Sequence, residues 1–184
     1  WKRTIDLVLA ALALPVLAVA AFVVALLHGL VSPGPLLFRQ TRVGHLGRTF
    51  TLCKFRTMRA GADESAHRRH LATLAAGGGP LRKLDQERDG RVFPGGRLLR
   101  ASGIDELPQL VNVLRGDMSL VGPRPERPEF VLDLQREIPF YRERHNLKPG
   151  ITGWAQINGR DEISMEKKVE LDQEYLIKRS LVFD

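Results

Sequence analysis

The chain has 184 residues, 43% of them hydrophobic, with 28 Lys and Arg against 21 Asp and Glu, a net charge of +7. This length suits one domain with a true core and leaves no room for two substantial ones. The charge favours an anionic partner: a phosphorylated substrate, an acidic lipid or a nucleic acid. Cys53 is the single cysteine, which excludes an internal disulfide and a cysteine-built zinc site. The sequence opens on Trp1 and stops in mid-pattern at Val182-Phe183-Asp184, so a longer parent protein is expected.

No charged residue interrupts Leu7 to Leu27, a run of ~21 that matches a bilayer-crossing helix. The run is too long for a secretory leader, and no small-residue cleavage pattern follows it. Pro15 lies inside it, where proline removes a backbone donor and bends a helix. Lys2 and Arg3 precede the run, and Arg39, Arg42, Arg48, Lys54 and Arg56 follow it. Cations mark the cytoplasmic side. Two arrangements therefore stay open on these residues: a kinked crossing, favoured by length, or a helix that dips in and returns at Pro15. Either one embeds the segment.

Ser32-Pro33-Gly34-Pro35 ends this element. Leu36 to Gln40 and Thr49 to Phe55 read as short strands around a turn at Gly44 and Gly47. A surface helix is expected over 60–76, inside a polar, mobile insertion at about 59–89. His67 and His70 stand there at helical spacing, but with no third ligand they read as a solvated face. Further helices are expected over Leu107 to Leu114, Phe130 to Arg142 and Ser164 to Lys178, with a Gly- and Pro-marked loop over Lys148 to Gly159. The fold class is α/β, mostly helical with short strands.

Asp105 and Glu106 stand where the helix through Gln109 and Asn112 begins. Ser102 and Asp105 fit a capping box, and acidic residues suit any first helical turn, so a structural role competes with a chemical one. The setting favours chemistry. Arg97 and Arg100 precede the pair, and Arg124 follows inside Pro123-Arg124-Pro125. Guanidinium groups bind phosphate oxygens bidentately, and Mg²⁺ commonly takes one or two carboxylates plus substrate phosphates. Adjacency also argues against a glycosidase, whose carboxyls face each other across at least ~5 Å. At one phosphorus, neighbours can divide the work between nucleophile and metal ligand.

Several ordered motifs then carry a resemblance. They are Lys2-Arg3 with Asp6, Ser32-Pro33-Gly34-Pro35, Arg39-Gln40 with Arg42 and Gly44, and Lys54-Phe55-Arg56-Thr57-Met58. Next come Gly96-Arg97, Arg100, Asp105-Glu106-Leu107-Pro108-Gln109-Leu110 and Asn112-Val113-Leu114. The run Gly116-Asp117-Met118-Ser119-Leu120-Val121-Gly122-Pro123-Arg124-Pro125 follows. Last are Lys148-Pro149-Gly150-Ile151-Thr152-Gly153-Trp154-Ala155-Gln156, Asn158-Gly159-Arg160, and Leu171-Asp172 with Tyr175. On these residues the chain resembles the bacterial sugar transferases, the monotopic phosphoglycosyl transferases that start glycoconjugate assembly on polyprenyl phosphate. Leu14-Pro15 departs from the Ser-Pro break common in that family.

The resemblance implies a re-entrant membrane helix over 1–31, broken near Pro15, and a cytoplasmic catalytic domain over 32–184 with amphipathic interfacial helices. It implies location at the bacterial inner membrane, membrane lipids as partners, and a homodimer is left open. It implies a ping-pong reaction dependent on Mg²⁺ or Mn²⁺. Asp105 would attack the β-phosphate of a UDP-sugar, release UMP and pass the phosphosugar to undecaprenyl phosphate. Asp105 and Glu106 would be the catalytic pair and hold the metal, with Lys54, Arg100, Arg124 and Arg160 on phosphates or substrate. The competing reading is a membrane-tethered basic scaffold or nucleic-acid-binding module. Aromatics make up 7% of the chain and do not interleave with its cations, which disfavours nucleic acid. A P-loop phosphotransferase is excluded by the absence of its Gly-rich Lys-Ser/Thr motif. Gly150, Gly153 and Gly159 read first as turn residues and Trp154 as core or a membrane-interface anchor. Asp117 is open between an ordinary turn residue and a role in the site, and Arg39 and Arg42 read at least as well as contacts to acidic lipid headgroups as to substrate.

Overall fold

The computed structural model describes residues 1–59, 61, 90–159 and 163–184. The helix expected over 60–76, His67, His70, nearly all of the 59–89 insertion and Arg160 lie outside them. The described residues form a mixed helical and stranded body with one helix long and apolar enough to cross a membrane, Leu14–Val31. That helix, α2, follows α1 (Lys2–Leu12) after a single turn residue, Ala13. Pro15 falls in the first turn of α2, where its missing N–H leaves no helical bond unmade.

A stripe at helical spacing runs along both helices and joins the cores of the body. Ala10, Ala13 and Leu17 pack with Leu52, Leu110, Val113 and Met118, while Leu17, Ala20, Ala21 and Val24 pack with Phe55, Phe93 and Leu99. The opposite side is apolar and bare: Leu12, Val16, Val19, Phe22, Leu26 and Leu30 are exposed. Polar side chains fasten the two ends. Asp6, buried in α1, accepts from the Ser119 hydroxyl (2.8 Å) and the Leu120 amide (3.0 Å). Arg3 donates to the carbonyls of Val113 and Leu114 (2.5 and 3.0 Å). At the far end His28 Nε2 meets the Arg56 carbonyl at 2.8 Å.

The charge count around the apolar run changes accordingly. Arg3 is consumed by a helix terminus, and Lys2 pairs with Asp184. Arg56 is buried and donates to Ser32 Oγ (2.8 Å), Pro35 O (2.8 Å) and Met58 O (2.9 Å). Of the five cations following the run, Arg39 and Arg48 are exposed, whereas Arg42, Lys54 and Arg56 turn into the protein.

Strands β1 (Leu37–Val43) and β2 (Thr49–Phe55) form an antiparallel hairpin in which Leu37 faces Phe55 and Val43 faces Thr49, closed by a 3-10 turn at His45–Gly47. After α3 (Gly96–Ala101) comes a 3-10 turn at Ile104–Glu106, then α4 (Gln109–Arg115). The capping box expected from Ser102 and Asp105 is not formed. Ser102 ends α3 and donates to the Leu99 carbonyl at 3.1 Å, while Pro108 caps α4, so the carboxylate pair occupies a turn of its own. Gly116, at φ +92°, ends α4 in the left-handed conformation that glycine adopts without penalty. Lys148 and Arg3 then serve its terminal carbonyls, cations at the negative end of the helix dipole.

The second sheet pairs β3 (Ser119–Val121) in parallel with β4 (Gly150–Thr152). Gly150 and Gly153 serve close approach rather than a turn: a Cβ on either would strike the backbone of Gly122. The helix expected over Phe130 to Arg142 is split. Helix α5 (Pro128–Glu137) stops at Ile138, which is extended, and Phe140 has φ +61° before a 3-10 segment at Tyr141–Asn146. Helices α6 (Trp154–Ile157) and α7 (Met165–Lys178) complete the chain, the latter begun by Ser164, whose side chain accepts from the Lys167 amide.

Candidate active site

Four elements bring the site together: β2 supplies Lys54, α3 supplies Arg100, the Ile104–Glu106 turn supplies both carboxylates, and the loop after β3 supplies Arg124. Glu106 Oε1 accepts from Lys54 Nζ at 2.7 Å and from Arg124 at 3.1 Å. Arg100 Nε donates to Thr57 Oγ1 at 2.7 Å, two residues beyond the end of β2. Asp105 is buried, and the charges it feels are those of Lys54, Glu106, Arg100 and Arg124. The structure thus joins five of the six expected chemical residues, Arg160 lying outside the described residues. Pro15 belongs to α2.

The two carboxylates differ in electrostatics. Burial pushes the Asp105 carboxyl above its ordinary value, against the pull of Lys54, with Glu106 adding to the rise. Burial acts on Glu106 in the same sense, but Arg124 and Lys54 overcome it and hold that carboxyl well below the usual range. The Lys54 ammonium is itself lowered to about 8, by burial first and by Arg124 next, with Glu106 opposing. One carboxylate is therefore the more basic, and its neighbour is fixed as an anion by two cations.

Among the described residues no group of three or more His, Cys, Asp or Glu gathers. The donor set fits a hard cation such as Mg²⁺, which takes one or two carboxylates and fills its remaining positions from water and phosphate oxygens. Both hydrogen bonds to Glu106 fall on Oε1. Asp105 and Glu106 Oε2 are the oxygens such an ion would use.

Several supporting residues act through partners that their sequence setting does not indicate. Asn112 is fully buried; its Oδ1 accepts from the Cys53 amide (3.1 Å), and its Nδ2 donates to Thr51 O (2.7 Å) and Asp117 Oδ2 (3.2 Å). It locks α4, and the carboxylate turn before it, to the strand that carries Lys54. Arg42 donates to the Pro125 carbonyl at 3.0 Å, so it meets the protein rather than a headgroup. Arg144 donates to the Arg124 carbonyl at 3.0 Å and pairs with Asp172 at 2.9 Å. Spacing gives no sign of these links, since each joins segments far apart in the chain. Burial of an Asn or Arg is the only local hint, and it appears only after folding.

Adjacent carboxylates, Asp105 buried and Glu106 partly so, with Lys54, Arg100 and Arg124 around them, form a set of groups suited to phosphoryl chemistry. The bacterial sugar transferase family model matches residues 1–184, and the chain belongs to that family. It is 41% identical over 186 residues to the UDP-N-acetylgalactosamine-undecaprenyl-phosphate N-acetylgalactosaminephosphotransferase of Aeromonas hydrophila, covering 100% of this chain and 40% of that protein. It is 42% identical over 188 residues to the UDP-glucose:undecaprenyl-phosphate glucose-1-phosphate transferase of Escherichia coli K12, covering 100% of this chain and 37% of that protein. The sugar transferase EpsL of Bacillus subtilis is 43% identical over 187 residues, with 100% of this chain and 81% of that protein covered. The chain thus spans about two fifths of the first two relatives' length.

Proposed function

We propose that this chain is the catalytic unit of a membrane-bound phosphoglycosyl transferase that moves a sugar-1-phosphate from a UDP-sugar to undecaprenyl phosphate. The observation that carries the reading is the geometry of two adjacent carboxylates, Glu106 bound by Lys54 at 2.7 Å and Arg124 at 3.1 Å beside a buried Asp105 that no such bond holds among the described residues. Relatives named for this transfer, aligned over the whole chain, support it.

Asp105, the more basic partner, is the better nucleophile. Its carboxylate oxygen attacks the β-phosphorus, the bond from that phosphorus to the oxygen bridging the two phosphates breaks, and UMP leaves with that oxygen. An oxygen of undecaprenyl phosphate then attacks the same phosphorus, the acyl-phosphate bond breaks, and the Asp105 carboxylate is regenerated. Lys54, Arg100 and Arg124 are placed to take the charge of the phosphates, and Arg160 is assigned to the same substrate. Mg²⁺ or Mn²⁺, held by Asp105 and Glu106, would neutralise the diphosphate.

The bare apolar side of α1 and α2 fits membrane lipid. Each such side chain contributes ~1.5 kcal/mol or more when removed from water, so several of them outweigh the ~1 kcal/mol per cation available from Arg39 and Arg48. In this reading residues 1–31 form the re-entrant element, bending around Ala13 and Pro15, and 32–184 stand on the cytoplasmic face of the inner membrane. The reaction is the first membrane step of glycoconjugate synthesis.

UMP release from a panel of UDP-sugars, by detergent-solubilised protein with Mg²⁺ and undecaprenyl phosphate, tests the reading; no UMP from any donor rejects it. Asp105→Asn is expected to lose at least ~10³-fold in turnover while remaining folded. Intact mass after donor alone should rise by one phosphosugar in the parent protein and stay unchanged in that variant.

A further inference from the structure

Four consecutive carbonyls lead through the Arg124 segment, and each accepts a hydrogen bond. Pro123 O takes the Gly150 amide (2.9 Å), Arg124 O takes Arg144 (3.0 Å), Pro125 O takes Arg42 (3.0 Å), and Glu126 O takes the Val43 amide (2.9 Å). The two prolines have no N–H, so this segment cannot be tied down by a strand ladder. It is held through its carbonyls, and at its centre the holding group is the guanidinium of Arg144.

Arg144 is a large commitment for that purpose. Its side chain is buried, its charge is met by Asp172 of α7 at 2.9 Å, and Nη1 donates to the Tyr141 hydroxyl at 3.0 Å. Asp172 is buried as well. A buried ion pair is seldom more stabilising than apolar residues of the same volume. What apolar residues cannot do is donate to the Arg124 carbonyl.

We propose that Arg144, its charge balanced by Asp172, is a positioning residue that sets the Arg124 side chain against Glu106 and the donor phosphates. This rests on the transferase reading above. The Arg124 carbonyl and side chain leave the same Cα, so a rotation of the backbone at one displaces the other. Displacement of a phosphate-binding group by about an ångström is worth on the order of 100-fold in rate.

The test uses the full chain in detergent. Arg144→Lys keeps the charge beside Asp172 and loses the fork that reaches the Arg124 carbonyl. It is expected to lower kcat/KM for the UDP-sugar on the order of 10- to 100-fold. Placed in an Arg124→Ala background, the same change should lower it less than about threefold, because the residue it acts through is gone. Losses that multiply overturn the proposal. Tyr141→Phe removes a different partner of Arg144 and should leave kcat/KM within about threefold; a loss equal to that of Arg144→Lys reduces Arg144 to a packing role and also overturns it. Amide hydrogen exchange reads the same point without turnover. Arg144→Lys should speed exchange at the Gly150 and Val43 amides, which donate into this segment, while Thr49–Phe55 holds. Unchanged exchange there sinks the proposal even if the parent protein releases no UMP, an outcome that by itself would reject only the transferase reading.

Discussion

The N-terminal helices and the strap around Arg124 are fixed in opposite ways. The helices are held by a stripe at spacings of three and four, Ala10, Ala13, Leu17, Ala21, Val24 and His28, that is already written in their own sequence. The strap holds itself by almost nothing local. Its carbonyls are met by side chains 83 and 20 residues away, and its functional end rests on Glu106, 18 residues back. Periodic burial tolerates drift along the chain. A site built from single long-range bonds does not, and removing one bond should tell the two apart.

The largest effect is expected where the helical region, too, depends on single long-range bonds. Arg56 joins the end of α2 to β2 through Ser32, Pro35 and Met58, and buries its guanidinium in doing so. Arg56→Ala leaves several carbonyls without donors and should lower unfolding free energy by about 3–5 kcal/mol in chemical denaturation. A loss below about 1 kcal/mol would mean that the apolar stripe alone fixes α2.

Next is Asn112→Ala, which removes two bonds between α4 and β2, one accepted from the Cys53 amide and one donated to the Thr51 carbonyl, and a third donated to Asp117; about 2–3 kcal/mol of stability should go with them. Asn112→Asp keeps the shape but places an anion near Asp117 and the Thr51 carbonyl, so it should be no better than the alanine. Equal stability of Asn112→Asp and the parent chain would show that the carboxamide donors are idle.

These residues also mark how far the sequence could be read. The apolar run, the strand at Thr49–Phe55 and the last helix follow from local pattern, and the carboxylates, Lys54, Arg100 and Arg124 are named by separate ordered motifs whose meeting in space only the fold supplies. The split at Ile138 is written in the sequence by Pro139, which cannot continue a helix and holds the residue before it extended; the apolar pattern of Phe140 and Tyr141 runs past that break while the backbone turns left-handed. The capping reading of Ser102 and Asp105 failed because Gly103 lets the chain turn out of α3 before α4 begins. Arg42 reads as a contact to lipid headgroups or substrate, Asn112 as one residue of a motif, and Arg144 carries no sign of a role. Their partners are carbonyls and amides, which no residue type announces.

The site's electrostatics give a smaller, graded effect. Lys54 titrates at about 8 in the folded chain, below its ordinary 10.5. Between those values the unfolded chain binds the extra proton, so the contribution of this group to stability rises with pH across that window. Activity should run the other way. As pH climbs through about 8 the ammonium beside Glu106 is lost, and kcat/KM, which reports the free enzyme, should fall toward tenfold per unit. Lys54→Arg, charged throughout, should flatten that limb; a limb that survives unchanged belongs to another group.

The smallest expected change in stability is on the bare face of α2, and two valines in one helix isolate it. Val24 is 1% exposed against Phe55, Phe93 and Leu99, whereas Val19 is 66% exposed. Both substitutions to alanine remove the same two carbons. Val24→Ala opens a cavity in a packed core and should lower unfolding free energy by about 2 kcal/mol. Val19→Ala should change it by less than ~0.5 kcal/mol. In binding to lipid vesicles, measured at lipid concentrations where binding is incomplete, the order should invert. Val19→Ala loses roughly 1 kcal/mol of apolar transfer, about a fivefold weaker partition, and Val24→Ala partitions as the parent chain does. If Val24 proved the one that matters for lipid, the stripe now packed on the body would be the membrane face, and α2 would have to leave the protein to reach it.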